Sequence, residues 1–176
     1  MNKQEIANAL VSSYTSFTDY TESLSDQDYM FSRNEKWTAG QQANHLVRAV
    51  RPLTLGFTFP NFVFRLLFGK SNRAGKNYEE LVAKYKQKLA AGGKASGQFI
   101  PPAVPLDRKS DLNKNLNRLA AKLASQISKM SEEDLDTYIL PHPLLGKLTL
   151  REMMYFTIYH AKHHQENIKT ELEKWR

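Results

Sequence analysis

Five histidines carry most of the chemistry that this 176-residue sequence can offer, and three of them fall in His160-Ala161-Lys162-His163-His164. On an α-helix, positions i and i+4 lie roughly 40° apart around the axis and about 6 Å apart along it. His160 and His164 therefore project two imidazoles from one face, a geometry able to grip one ion. His163 is turned roughly 100° from His164 and does not easily join them. Two imidazoles hold a transition metal poorly, so a third ligand must come from another element, and His45 is the candidate. Such a set leaves the other coordination positions to water or substrate. There is no cysteine, which excludes disulfide scaffolds, zinc–thiolate sites, iron–sulfur clusters and a cysteine nucleophile. Spacing leaves alternatives open. An HxxxH pair without the Glu of HExxH also describes two exposed histidines, and His45 on an apolar helix also suits a hydrogen-bonded core residue.

Four segments with apolar residues at helical spacing must position these side chains. The first carries Ile6, Leu10, Tyr14, Phe17 and Leu24. The second follows a capping box, Thr38 with Gln41, and carries Leu46, Val50, Leu53 and Phe57, with Pro52 expected to kink it. The third carries Leu112, Leu116, Leu119, Leu123, Ile127 and Met130. The fourth opens on a second box, Thr149 with Glu152, and runs to the C-terminus. No run alternates at period two, so the fold class is all-α. Trp37, just before the Thr38 cap, is placed to pack back on the second helix.

Some 50 residues separate the second and third helices, far beyond the roughly 2–8 that join antiparallel neighbours. A crossover over about 58–110 can return the chain along the molecule, giving a single domain, 1–176, built as an up-down-down-up four-helix bundle. Tyr78, Leu81, Val82, Tyr85 and Leu89 predict a short extra helix inside it, and the stretch from Gly92 to Pro105 predicts a structureless strap. With the second and fourth helices antiparallel, His45, about 10 Å from the start of one, meets His164, about 16 Å from the end of the other.

Lys and Arg number 25 against 18 Asp and Glu, and the net charge of +7 has one source. Residues 61–110 hold 10 basic and 3 acidic groups, while the flanking segments together sum to zero. Lys70, Arg73, Lys76, Lys84, Lys86 and Lys88, with Lys94 beyond them and Tyr78 and Tyr85 between, form a candidate anion-binding segment. A solvated helix face is the favoured reading, helped by a Glu80–Lys84 pair, and nucleic acid is not expected as a partner. A non-catalytic nucleic-acid- or anion-binding module, or a stress-related interaction module, is the alternative to an enzyme. The polar start and the lack of a sufficiently long apolar run predict a cytoplasmic protein with no membrane span. Phe57, Phe59, Phe62, Phe64 and Phe68 are expected to pack on the bundle or roof the metal pocket, with a homodimer interface as the alternative.

Three stretches resemble one family. Trp37-Thr38-Ala39-Gly40-Gln41-Gln42-Ala43-Asn44-His45-Leu46 looks like the tryptophan-led second-helix motif of the DinB/YfiT-like superfamily. His160-Ala161-Lys162-His163-His164 resembles its closing-helix motif, and the segment from Pro141 to Thr149 is similar to its lead-in loop. Glu166-Asn167 departs from the Gly-Gln pair frequent after the histidines. The resemblance implies the same bundle, a divalent metal (zinc, nickel, iron or manganese) on His45, His160 and His164, and a small-molecule substrate. It also implies either hydrolysis or transfer of a low-molecular-weight thiol, whose sulfur a cysteine-free chain must borrow. Gln41, Tyr159 and His163 are the candidates for supporting the ligands; no residue stands out as the catalytic acid or base.

Overall fold

All but one of the long helices start where a capping side chain sits. In the computed structural model, which describes residues 1–175, α1 (Lys3–Ser23) is capped by Asn2, with Glu5 returning the bond, and buries Ile6, Leu10, Tyr14 and Phe17. A short α2 (Asp26–Met30), capped by Ser25, inserts Tyr29 into the core. α3 (Ala39–Gly56) opens on the expected Thr38–Gln41 capping box and continues past Pro52 as one helix.

The crossover is more structured than a strap. It contains α4 (Phe62–Phe68), the expected extra helix as α5 (Tyr78–Ala90), and single 3-10 turns at Gly97–Phe99 and Leu106–Arg108. α6 (Lys109–Ser128) and a short α7 (Glu132–Thr137) follow. A hairpin then departs from the all-α expectation. β1 (Ile139–His142) pairs antiparallel with β2 (Gly146–Thr149), with Ile139 opposite Thr149 and His142 opposite Gly146. Four-residue strands are too short to leave an alternating pattern in the sequence. What holds the turn is local: His142 Nδ1 accepts the N–H groups of Leu144 and Leu145, both at 3.1 Å, and Gly146 supplies a φ of +78°. α8 (Leu150–Glu173) starts directly from β2, on its own box of Thr149 and Glu152.

Hydrogen bonds between helices give their relative directions. Thr21 meets Asn113 and Thr18 meets Asn117, while Lys3 reaches the Met130 carbonyl, so α1 and α6 are antiparallel. Tyr14 donates to the Thr157 carbonyl and Ser16 to Gln165, so α1 and α8 run in parallel. His45 lies against His160 and Gln42 against His164, so α3 and α8 are antiparallel. The core is a single cluster running through α1, α3, α6 and α8, with Leu46, Leu116, Leu123, Ile127 and Met154 fully buried. No helix among the described residues is long and apolar enough to cross a membrane.

Glu152 ties the crossover to this core. Its carboxylate is 1% exposed and accepts two bonds from Arg73 at 2.7 Å, plus the N–H groups of Lys76 at 2.8 Å and Thr149 at 2.9 Å. Burial pushes this carboxyl up, but the Arg73 guanidinium and the two N–H groups outweigh it and hold it below 4.5. Further anchors are Ser71, donating to the Thr137 carbonyl, and Lys84, whose ammonium caps the Leu145 carbonyl at 2.9 Å.

Candidate metal centre

The antiparallel pairing of α3 with α8 brings His45, His160 and His164 together, all of them buried. Their Nε2 atoms are the inward ones: His160 Nε2 stands 3.1 Å from His45 Nε2 and 3.0 Å from His164 Nε2. The outward nitrogens set the tautomers. His45 Nδ1 lies 2.7 Å from the Phe99 carbonyl, which can only accept, so Nδ1 carries the proton. His164 Nδ1 lies 2.8 Å from Gln42 Oε1. The amide of Gln42 is oriented by the Trp37 carbonyl, 3.5 Å from its Nε2, so the oxygen faces the histidine. Both rings thus turn an Nε2 lone pair towards His160.

The protons do not balance in that arrangement. His160 can donate its Nε2 proton to only one of the two lone pairs, and its Nδ1 is buried with no partner. Burial pushes all three imidazoles below 6.5, and for His160 and His164 the neighbouring rings add to the effect, so all three are neutral near pH 7. Three neutral nitrogens, two with their opposite N–H already engaged, are the donor chemistry of a divalent-cation site. The residues fit the ion.

Trp37 covers the cluster, its ring 5.0 Å from that of His45 and 6.3 Å from that of His164. On another side, His45 and His160 open onto a cavity of about 190 Å³. Its walls are mostly apolar: Ala49, Pro52 and Leu53 of α3, Tyr85 and Leu89 of α5, Lys94, Ala95, Ser96 and Phe99 of the strap, Pro141 to Leu144 of the hairpin, and Met153, Phe156 and Thr157 of α8. Gly93 keeps this wall tight, because a Cβ there would stand 2.6 Å from a Leu144 methyl and 2.7 Å from the Lys88 carbonyl.

Other candidates sit elsewhere. The side chain of Gln41 is consumed by the α3 cap, accepting the Thr38 N–H at 3.1 Å, and Gln42 reaches the histidines instead. His163 packs on Tyr85, meets Asn167 at 3.2 Å and touches the cluster only edge-on, its ring 5.2 Å from that of His164, and Tyr159 lies beneath the Lys86 ammonium. In the basic segment Arg73 is held by Glu152 and Lys84 by Leu145, while Lys70, Lys86 and Lys88 are exposed and Lys76 is half-buried. Two of the cations of the anion-binding reading are thereby tied into the fold. None of the five phenylalanines roofs the cavity: Phe57 and Phe64 pack together at 5.2 Å, Phe68 is half-buried, and Phe59 and Phe62 are exposed. Three contributors were missed in the sequence: Gln42, the Phe99 carbonyl and His142. The capping box could have found the first, since Thr38-x-x-Gln41 takes Gln41 out of play. A backbone carbonyl leaves no signal.

Against known proteins, a family model described as the DinB superfamily matches residues 9–168. The chain is 31% identical over 75 residues to the protein described as uncharacterized protein YuaE of Bacillus subtilis (strain 168), covering 43% of this chain and 46% of that relative. The chain thus spans about half the length of that curated relative. No solved structure matches.

Proposed function

The chain belongs to the DinB superfamily, and on that premise we propose that it is a divalent-metal-dependent enzyme whose ion is held by His45, His160 and His164. One observation carries the reading: three buried neutral imidazoles converge through Nε2 at 3.0 and 3.1 Å, where no placement of their protons satisfies them all. A bound ion supplies Lewis acidity towards water or a thiol. The chain's own residues do the rest. Phe99 and Gln42 hold two imidazoles in the tautomer that presents Nε2, Trp37 covers one side, and the apolar cavity admits a small substrate while thinning the water around it.

The reaction classes in this proposal are hydrolysis and transfer of a low-molecular-weight thiol, whose sulfur comes from the cofactor because the chain has no cysteine. Imidazole donors suit zinc, nickel and iron, with manganese the least favoured. The fold proposed for this function is an up-down-down-up bundle of α1, α3, α6 and α8, supported by the antiparallel α1–α6 and α3–α8 pairs and the parallel α1–α8 pair. We place the protein in the cytoplasm as a homodimer. Its self-contact would be Leu55, Phe59, Phe62, Leu66 and Leu67, each more than half exposed, on a stretch whose one charge is Arg65.

Metal content of the purified protein tests the reading. The wild type is expected to carry about one divalent ion per chain, and His160→Ala to carry almost none. Equal, near-zero content in both after incubation with zinc, nickel, iron or manganese overturns it.

A further inference from the structure

His142 lies outside the three-histidine cluster, yet it lines the same cavity as His45 and His160. Its ring packs edge-on against Phe156 at 4.2 Å, and Phe156 in turn packs on His160 at 4.7 Å. The turn of the hairpin fixes its tautomer. Nδ1 accepts two backbone N–H groups, from Leu144 and Leu145, so the ring proton must reside on Nε2. Burial, helped by the nearby Lys84 charge, lowers its pKa to about 4, which keeps the ring neutral near pH 7. A neutral imidazole whose acceptor is spent on its own turn has one function left, donation from Nε2, and among the described residues no side chain or carbonyl takes that bond. The wall around it is mostly apolar, with Leu53, Leu89, Leu144, Met153 and Phe156, and Lys94 is its one cationic member.

We propose that His142 is a substrate-binding residue: its Nε2–H donates to an oxygen of a small molecule that places an apolar body in the cavity and a carbonyl or carboxyl group between His142 and the three histidines. The inference rests on the metal-dependent reading above and deepens it by naming the substrate class, an apolar acyl compound. A highly charged or sugar-like substrate is disfavoured, because those walls offer it few hydrogen bonds and would desolvate its polar groups without repayment. The small volume limits the body to roughly that of a benzyl group or a short acyl chain.

The test uses two aromatic probes, toluene and benzamide, the second of which replaces the methyl group by a carboxamide with a carbonyl acceptor, titrated into the metal-loaded full chain. Methyl signals of Leu144 and Met153 report occupancy. The variant is His142→Asn, whose side-chain oxygen can still accept the N–H groups of the turn but whose amide does not extend to the position of Nε2. Toluene is expected to bind wild type and variant alike. Benzamide is expected to bind the wild type about tenfold more tightly than the variant, the effect of one hydrogen bond in a dry site. If benzamide binds the variant as tightly as the wild type, or neither probe moves the cavity methyls of the wild type, the proposal is wrong. Should the variant lose toluene binding, the hairpin has been disturbed and the wild type decides: the His142 Nε2–H resonance must shift on adding benzamide and stay still on adding toluene, and the opposite result overturns the assignment. The same titrations on chelator-treated protein separate the two readings. Absent metal uptake removes the metal-dependent function, while the probe ratio still judges the cavity and His142.

Discussion

Replacing Gln42 by alanine separates a metal site from a histidine cluster that merely packs. Gln42 is 5% exposed, and its Oε1 accepts the His164 Nδ1 proton at 2.8 Å. With an ion on Nε2, the proton has to stay on Nδ1, so removing the acceptor strands a buried donor at a cost of about 1–3 kcal/mol. That corresponds to roughly 5- to 150-fold weaker metal binding, a span that brackets the roughly 10- to 100-fold typical of groups that orient a metal-ligating histidine. Without an ion, His164 has an escape. It can move the proton to Nε2 and donate to His160 Nε2, 3.0 Å away. Stability of the chelator-treated protein should then fall by only about 1 kcal/mol, for the small cavity left behind. Gln41→Ala provides the control: it weakens the α3 capping box, costing about 0.5–1 kcal/mol, and leaves metal affinity alone. The assay is zinc competition against a chromophoric chelator at fixed pH, beside urea unfolding of the ion-free proteins. A Gln42→Ala dissociation constant within twofold of wild type, or an equal loss in Gln41→Ala, would refute the assigned tautomer.

Three further outcomes are expected. Arg73→Ala leaves Glu152 buried with only two backbone N–H donors and should destabilise the fold by about 2–4 kcal/mol in urea. Because the carboxyl of Glu152 is held below 4.5 in the folded state, its contribution is complete above that value and is lost as pH falls through the lowered one; the variant should show a flatter acid limb. His142 binds its proton less readily folded than unfolded, so between pH 6.5 and about 4 the unfolded chain takes up protons first and stability drops as pH falls, by up to about 3 kcal/mol. His142→Asn should lack that component, and an unchanged pH profile would contradict the burial of this ring. Finally, Leu66→Glu on the exposed face of α4 should convert a dimer into a monomer in sedimentation velocity. A wild type already monomeric at high concentration argues against the self-contact.

What the sequence determined on its own were features whose cause is local. The Thr38 and Thr149 boxes, the stripe of Leu116, Leu123 and Ile127, and the His160–His164 pairing each follow from helical periodicity and capping chemistry, which depend on neighbours a few residues away. The hairpin was not legible, since strands of four residues around Pro141 and Pro143 carry too little alternation to separate from a loop. Only the tertiary structure decided which partners each of these side chains meets. Between Gln41 and Gln42 the choice turns on which rotates towards α8 and which is spent on the cap. The sequence offers Arg73 no partner and pairs Lys84 with Glu80; the fold instead brings Glu152 and the Leu145 carbonyl, 79 and 61 residues away, against them and spends Glu80 on the cap of α5. His142 became a cavity donor because its other nitrogen is consumed by the turn it closes. Hydrogen-bond donors and acceptors are finite, and only the folded arrangement shows which of them are already taken.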